Sequence, residues 1–162
     1  MRLQNDLAMW RGWSINKQTW VYGYLVYVGT TPLIVVDRTV HGRTFVRDYY
    51  PTHSPEPGVL YVRAEAVEPL SVGWFTGFYD GTEWPVFDGD YISYNVGPGI
   101  SFYLVYYDLD HDKFRGKPVN PDDGYRDLEN IMFGRDGSVI GSEFESLYLK
   151  KSNPWEDKEV NK

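Results

Sequence analysis

The chain is predicted to be all-β and mainly antiparallel, built as one or more small SH3-like barrels or as a sandwich with long loops. Three observations predict this. Short apolar runs alternate with period two, as half-buried strands do. Turn signals rich in Gly, Pro, Asp and Asn separate about ten such runs at close spacing. No stretch carries a helical apolar stripe of useful length. Aromatic residues make up 17% of the 162 positions, and Tyr and Trp suit pleated, half-buried surfaces.

In chain order, Met1 to Asp6 is polar and expected to fray. Leu7 to Trp13 reads as a first strand, turned by Asn16-Lys17. Trp20 to Val28 is the clearest strand, with apolar residues on both faces, and Gly23 within it marks a bulge or a close backbone approach. Leu33 to Val36 and Arg43 to Tyr49 read as further strands. Pro51 to Gly58 is a loop and Val59 to Val67 another strand.

The stretch from Trp74 to Ile92 organises the middle of the chain. Asp80-Gly81 is a tight turn between two arms, and Pro85 makes the second arm an edge strand because it has no N–H to donate. Asp88-Gly89-Asp90 is a second corner, similar to the turns of SH3-like barrels. After the Gly97-Pro98-Gly99 turn, Ile100 to Tyr107 should be a central strand. Asp108 to Gly124 reads as a long polar loop, and Tyr125 to Glu129 has room for one helical turn. Asn130 to Phe133 and Ser138 to Gly141 are predicted to form a hairpin around Gly134 to Gly137. Residues 1–149 are therefore expected to be a single β-rich domain, and residues 150–162 a mobile charged tail.

Composition narrows the function classes. There are no cysteines, which excludes disulfides and Cys-based zinc sites and suits a reducing compartment. No apolar run is long enough to span a membrane as a helix, and no basic-then-apolar leader opens the chain. The cytoplasm of a bacterial host is the expected location. The net charge of −7 is uneven: residues 1–70 carry 7 basic and 6 acidic side chains, residues 71–162 carry 9 and 17. An acidic half repels phosphate backbones, which argues against general nucleic-acid binding.

Three blocks carry a family resemblance. Thr76-Gly77-Phe78, an Asp/Gly turn, and Val86-Phe87-Asp88-Gly89-Asp90-Tyr91-Ile92 resemble the "TGL.D..G..IYEGDIV" signature of the YopX family of phage and prophage proteins. Trp20-Val21-Tyr22-Gly23-Tyr24-Leu25, preceded by Arg11-Gly12, resembles that family's "WVYGYL" block, and Ser138-Val139-Ile140-Gly141-Ser142-Glu143-Phe144-Glu145 its "EVIGNIYEN" block. The blocks occur in family order from Arg11 to Glu145. Trp84-Pro85 and the polar insert from Lys113 to Gly124 depart from the pattern. The resemblance implies a phage or prophage context and a structural signature at Gly23, Gly77, Gly89, Asp90 and Gly141. It supplies no enzymatic activity.

Chemistry-bearing patterns are sparse. Asp108-Leu109-Asp110-His111-Asp112 has the first half of a calcium loop, but Lys113 and Val119 stand where the Gly and the bidentate Glu belong, so it reads as a solvated acidic loop. His41, His53 and His111 are scattered, with no ligand spacing. Asp80, Asp88 and Asp90, beside Glu83, are the candidates for a carboxylate cluster, although Asp and Gly are also what turns demand. No nucleophile motif or P-loop is present. No cofactor or metal is expected. The predicted function is a binding or self-assembling accessory protein, a homo-oligomer with Trp84, Trp20 and Tyr22 as interface candidates, rather than an enzyme. Two other readings stay open. One is an acidic decoy of a host DNA-binding protein; the other is a metal-dependent hydrolase using the Asp80/Asp88/Asp90 region.

Overall fold

The computed structural model describes residues 9–36 and 64–149. The predicted strand at Arg43 to Tyr49, the loop at Pro51 to Gly58, the C-terminal tail, His41 and His53 lie outside the described residues. The chain forms two compact units that divide between Val72 and Gly73.

In the first unit, β1 (Trp10–Ser14), β2 (Thr19–Val28), β3 (Thr31–Val36) and β4 (Ala64–Ala66) pair antiparallel in the order β4-β3-β2-β1. The β1–β2 ladder runs from Trp10↔Gly23 to Ser14↔Thr19, and the β2–β3 ladder from Gly23↔Val36 to Val28↔Thr31. Gly23 pairs with Trp10 on one side and Val36 on the other, as the last β2 position of the first ladder and the first of the second. A single bridge, Ser14↔Val67, returns the chain beyond β4 to the end of β1. The Ile15 N–H donates to the Ala66 carbonyl at 3.0 Å and the Glu68 N–H to the Trp13 carbonyl at 2.9 Å. Among the described residues the Ser14↔Val67 bridge does not extend into the closing ladder of a barrel. The unit's core is Val21, Ile34 and Val67, with Trp10, Leu25 and Val72 packed against it.

The second unit opens with β5 (Gly73–Tyr79) and β6 (Pro85–Phe87), an antiparallel hairpin in which β6 lies at the edge. Pro85 stands first in that edge strand, where a missing N–H costs least. A five-stranded antiparallel sheet follows, in the order β10-β9-β8-β7-β11. Its strands are β7 (Asp90–Val96), β8 (Gly99–Asp108), β9 (Lys113–Pro118), β10 (Arg126–Asp127) and β11 (Gly137–Ser142). The aromatic-rich run from Ile100 is thus the middle strand, as its burial pattern requires. Gly97, at φ 63°, makes the turn before it. The sheet is open, with β10 and β11 at its edges.

Two expectations are corrected here. The polar segment after Asp108 is not one long loop: it contains β9, a 3-10 turn at Pro121–Asp123 and β10. The segment before Gly134 is not the first arm of a hairpin either. It is α1 (Leu128–Met132), followed by a 3-10 turn, and only Gly137–Ser142 is strand. Leu128, Ile131 and Met132 share one helix face and pack with Val86, Ile92, Tyr103 and Val105 in the unit's core. A second helix, α2 (Glu143–Tyr148), is capped by Ser142, whose Oγ accepts from the Glu145 N–H at 3.2 Å and lies 3.1 Å from Glu145 Oε2.

Gly116 lets α1 approach the sheet. A Cβ there would lie 2.5 Å from Ile131 Cδ1 and 3.0 Å from Tyr103 Cβ, both side chains being fully buried. Gly116→Ala is expected to destabilise this unit by about 1–2 kcal/mol through overpacking. Ile131→Val removes the nearest obstructing atom, so the double variant should lose less than the two single losses combined. Additive losses in urea denaturation would refute the contact.

Candidate functional site

The β5–β6 loop is built around one carboxylate. Asp80 is buried, and its Oδ1 accepts from the Thr82 N–H (2.8 Å), the Thr82 hydroxyl (2.7 Å) and the Trp84 N–H (2.9 Å). Its Oδ2 accepts from the Val139 N–H on β11 at 3.0 Å. The Gly81 N–H donates to the Gly137 carbonyl on the same strand at 3.1 Å. Burial of Asp80 pushes its pKa up, but the bonds from Thr82, Trp84 and Val139 outweigh this and hold it below the ordinary carboxylate value. Both oxygens are engaged in fastening the loop.

The second corner is equally committed. The Asp90 side chain is fully buried and accepts from the Phe87 N–H at 2.8 Å. Gly89 adopts φ 84°; its N–H donates to the Val105 carbonyl, and its carbonyl accepts from the Glu143 N–H. Asp88 donates its N–H to the Trp74 carbonyl. Gly77, at φ 85°, sits in the irregular part of the β5–β6 register, where Thr76 Oγ1 donates to the Val86 carbonyl at 2.8 Å. Gly141 pairs with Tyr91 just past a register shift in β11. These residues shape corners and bulges.

At the β8–β9 turn, the Asp108 carboxylate gathers the loop. Oδ1 accepts from the Asp110 and His111 N–H groups at 3.0 and 3.3 Å. Oδ2 lies 2.8 Å from His111 Nδ1 and 3.0 Å from Arg115 Nη1. Desolvation opposes ionisation, but Arg115, His111 and the two backbone donors bring its pKa down to about 2. Lys113 and Arg115 both reach Asp127, at 2.6 and 3.2 Å, and the Lys113 bond lowers the Asp127 pKa. The half calcium loop is therefore a four-residue turn tied to its own backbone. Among the described residues, no group of three or more His, Asp or Glu side chains could hold a metal ion.

The depressed pKa values of Asp80 and Asp108 have a sign. A carboxyl whose folded pKa lies below its unfolded value stabilises fully above about pH 4 and loses that contribution as the pH falls. For Asp108 the loss continues to about pH 2. The urea midpoint is expected to decline as the pH drops through this range, and Asp108→Asn should flatten the decline. A midpoint independent of pH below the ordinary carboxylate value would contradict these assignments.

Among the described residues, an array of exposed apolar side chains lies on the first unit's sheet. Val21 and Leu25 of β2 point toward the core, while Tyr24, Val26 and Val28 alternate onto the other face and are 45%, 39% and 66% exposed. Val35, Leu33 and Thr31 stand opposite them on β3. None of these six residues is charged. At the other end of β2, Trp20 and Tyr22 are half-buried. Trp20 meets Trp13 edge to face at 5.4 Å, and the Arg11 guanidinium lies 4.5 Å over its ring. Among the aromatics of the middle stretch, Phe87 and Tyr91 are buried, Phe78 is partly buried, and Trp74 and Trp84 are exposed. Trp74 packs with Tyr107 and Phe114, whereas Trp84 sits on the Asp80 loop.

No helix among the described residues is long and apolar enough to cross a membrane. Comparison with family models and with curated proteins gives no match.

Proposed function

We propose that the protein is a phage- or prophage-encoded accessory protein that acts in the host cytoplasm by binding and self-assembly rather than by catalysis. The observation that carries this reading is the uncharged outward face of β2 and β3, with Tyr24, Val26 and Val28 exposed opposite Val35 and Leu33. A contiguous apolar surface of this kind is characteristic of interfaces. Symmetric self-association is the commonest way for a small protein to cover one. The commitment of Asp80, Asp90 and Asp108 to turn backbones favours binding over the hydrolase alternative. The pairing of Asp108 and Asp127 with Arg115 and Lys113 favours it over the acidic decoy, which would present unpaired carboxylates. The phage context rests on the three motif blocks from Arg11 to Glu145.

Size exclusion coupled to light scattering tests the reading. The expected result is a homo-oligomer that Tyr24→Ser combined with Val26→Ser shifts toward monomer, with Trp84→Ala and Tyr22→Ser as further interface variants. A monomer mass for the parent chain at concentrations up to about 100 µM would overturn self-assembly.

A further inference from the structure

We propose that the Asp123-Gly124 bond is a self-modification site, at which the chain slowly converts its own aspartate to isoaspartate. The reaction needs no reagent but water. The Gly124 nitrogen attacks the side-chain carboxyl carbon of Asp123. A C–N bond forms, the hydroxyl of the acid leaves with the amide proton as water, and a five-membered succinimide closes. Water then opens the ring at either carbonyl. Opening at the backbone carbonyl leaves the chain running through the Asp123 side chain, one carbon longer. A following glycine favours the attack because it has no Cβ to obstruct it.

The sequence holds four Asp-Gly bonds, after Asp80, Asp88, Asp123 and Asp136, and no Asn-Gly bond. The fold restrains three of them. Both Asp80 oxygens accept hydrogen bonds, and the Gly81 N–H donates to the Gly137 carbonyl. The donors around Asp80 also favour its ionised form, which resists attack. The Gly89 N–H donates to the Val105 carbonyl at 2.9 Å. Gly137 is buried at the start of β11, and turning its nitrogen toward Asp136 would pull it from its register with Tyr94. Asp123 differs. It ends the 3-10 turn Pro121–Asp123, and its backbone N–H donates to the Asn120 carbonyl at 3.0 Å. Among the described residues, neither its carboxylate nor the Gly124 N–H has a hydrogen-bond partner. Gly124 is exposed at φ 70°, with nothing within 4 Å of its Cβ position, so this peptide can turn without meeting packed atoms. Attack at the other three bonds must wait for a local opening that breaks buried or ladder contacts. The site lies on the second unit, where β10 begins two residues after Gly124, and does not depend on the β2–β3 face.

The full chain is incubated in heavy-oxygen water under native conditions, and a second sample in the same water with urea. Each passage through the ring places one heavy oxygen in the residue, whichever way the ring opens. Both samples are then digested in ordinary water, and mass-spectrometric fragment ions locate the label. The expected result is label entering at Asp123 about tenfold faster than at Asp80, Asp88 or Asp136 in the folded chain, and at similar rates at all four in urea. A second peptide of the same mass but shifted elution should accompany the Asp123 peptide. Asp123→Glu, which would have to close a larger ring, should remove the label at this position. Equal labelling of the four sites in the folded chain, or faster labelling at Asp136, would overturn the assignment. So would a folded chain that takes up no label at Asp123 while the unfolded chain does, or label that persists in Asp123→Glu.

Discussion

Gly12→Ala is expected to destabilise the first unit by about 3 kcal/mol, at the upper end of overpacking costs. A Cβ at residue 12 would stand 2.7 Å from Cβ, Cγ1 and Cγ2 of Val67 at once. Val67 is fully buried, and its Cβ is fixed to the backbone that forms the bridge to Ser14. Rotation of the Val67 side chain therefore gives no relief, and either β1 or the segment after β4 must move. The Glu68 to Trp13 bond and the Trp13 N–H to Ser71 Oγ bond at 2.6 Å would be strained with it. Gly99→Ala is the control, because nothing lies within 4 Å of its Cβ position and its φ is not left-handed. Urea denaturation followed by tryptophan fluorescence reads both. Equal midpoints for the two variants would refute the packing.

Asp80→Ala is expected to cost about 3 kcal/mol in the second unit. Hydrogen bonds to a charged acceptor contribute more than neutral ones, and four donors lose their acceptor together. The exposed Thr82 and Trp84 can turn to water, which limits the loss. Asp80→Asn should cost clearly less than Asp80→Ala, because it keeps the turn bonds. The contrast is specific: if Asp80 acted only through its charge, the two variants would be equally destabilised. Thermal denaturation at neutral pH separates the outcomes, and the gap between parent and variants should narrow as the pH falls below the ordinary carboxylate value and the carboxyl protonates.

Strong period-two segments were legible in advance. Trp20 to Val28 and Ile100 to Tyr107 are strands because their side chains alternate and their β-branched and aromatic residues leave no competing helical face. The turns at Asp80-Gly81 and Gly97-Pro98 were legible because few residues tolerate such backbones. β9 was missed although it alternates: its inward positions are Phe114, Gly116 and Pro118, of which only the first looks apolar and large. α1 was missed because five residues with Leu128, Ile131 and Met132 are too short to distinguish period two from period 3.6. The Ser142-to-Glu145 capping signal was present and would have found α2.

Of the candidate surfaces, the apolar character of β2 could be read from its residues. Which end of it lies open could not: Trp20 is enclosed by Trp13 and Arg11, while Tyr24, Val26, Tyr27 and Val28 are exposed. The fold class, the central strand and the corners at Asp80 and Asp88 can be read from the residues alone, because those depend on backbone sterics and local periodicity. That Asp80 reaches β11, that Gly12 and Gly116 are packing glycines, and that the acidic turn at Asp108 is tied to Arg115 emerges only from the folded arrangement. Each of these depends on which distant segment arrives beside the residue. A local pattern does not encode that, because the burial that sets the energy of such contacts exists only once the chain has folded.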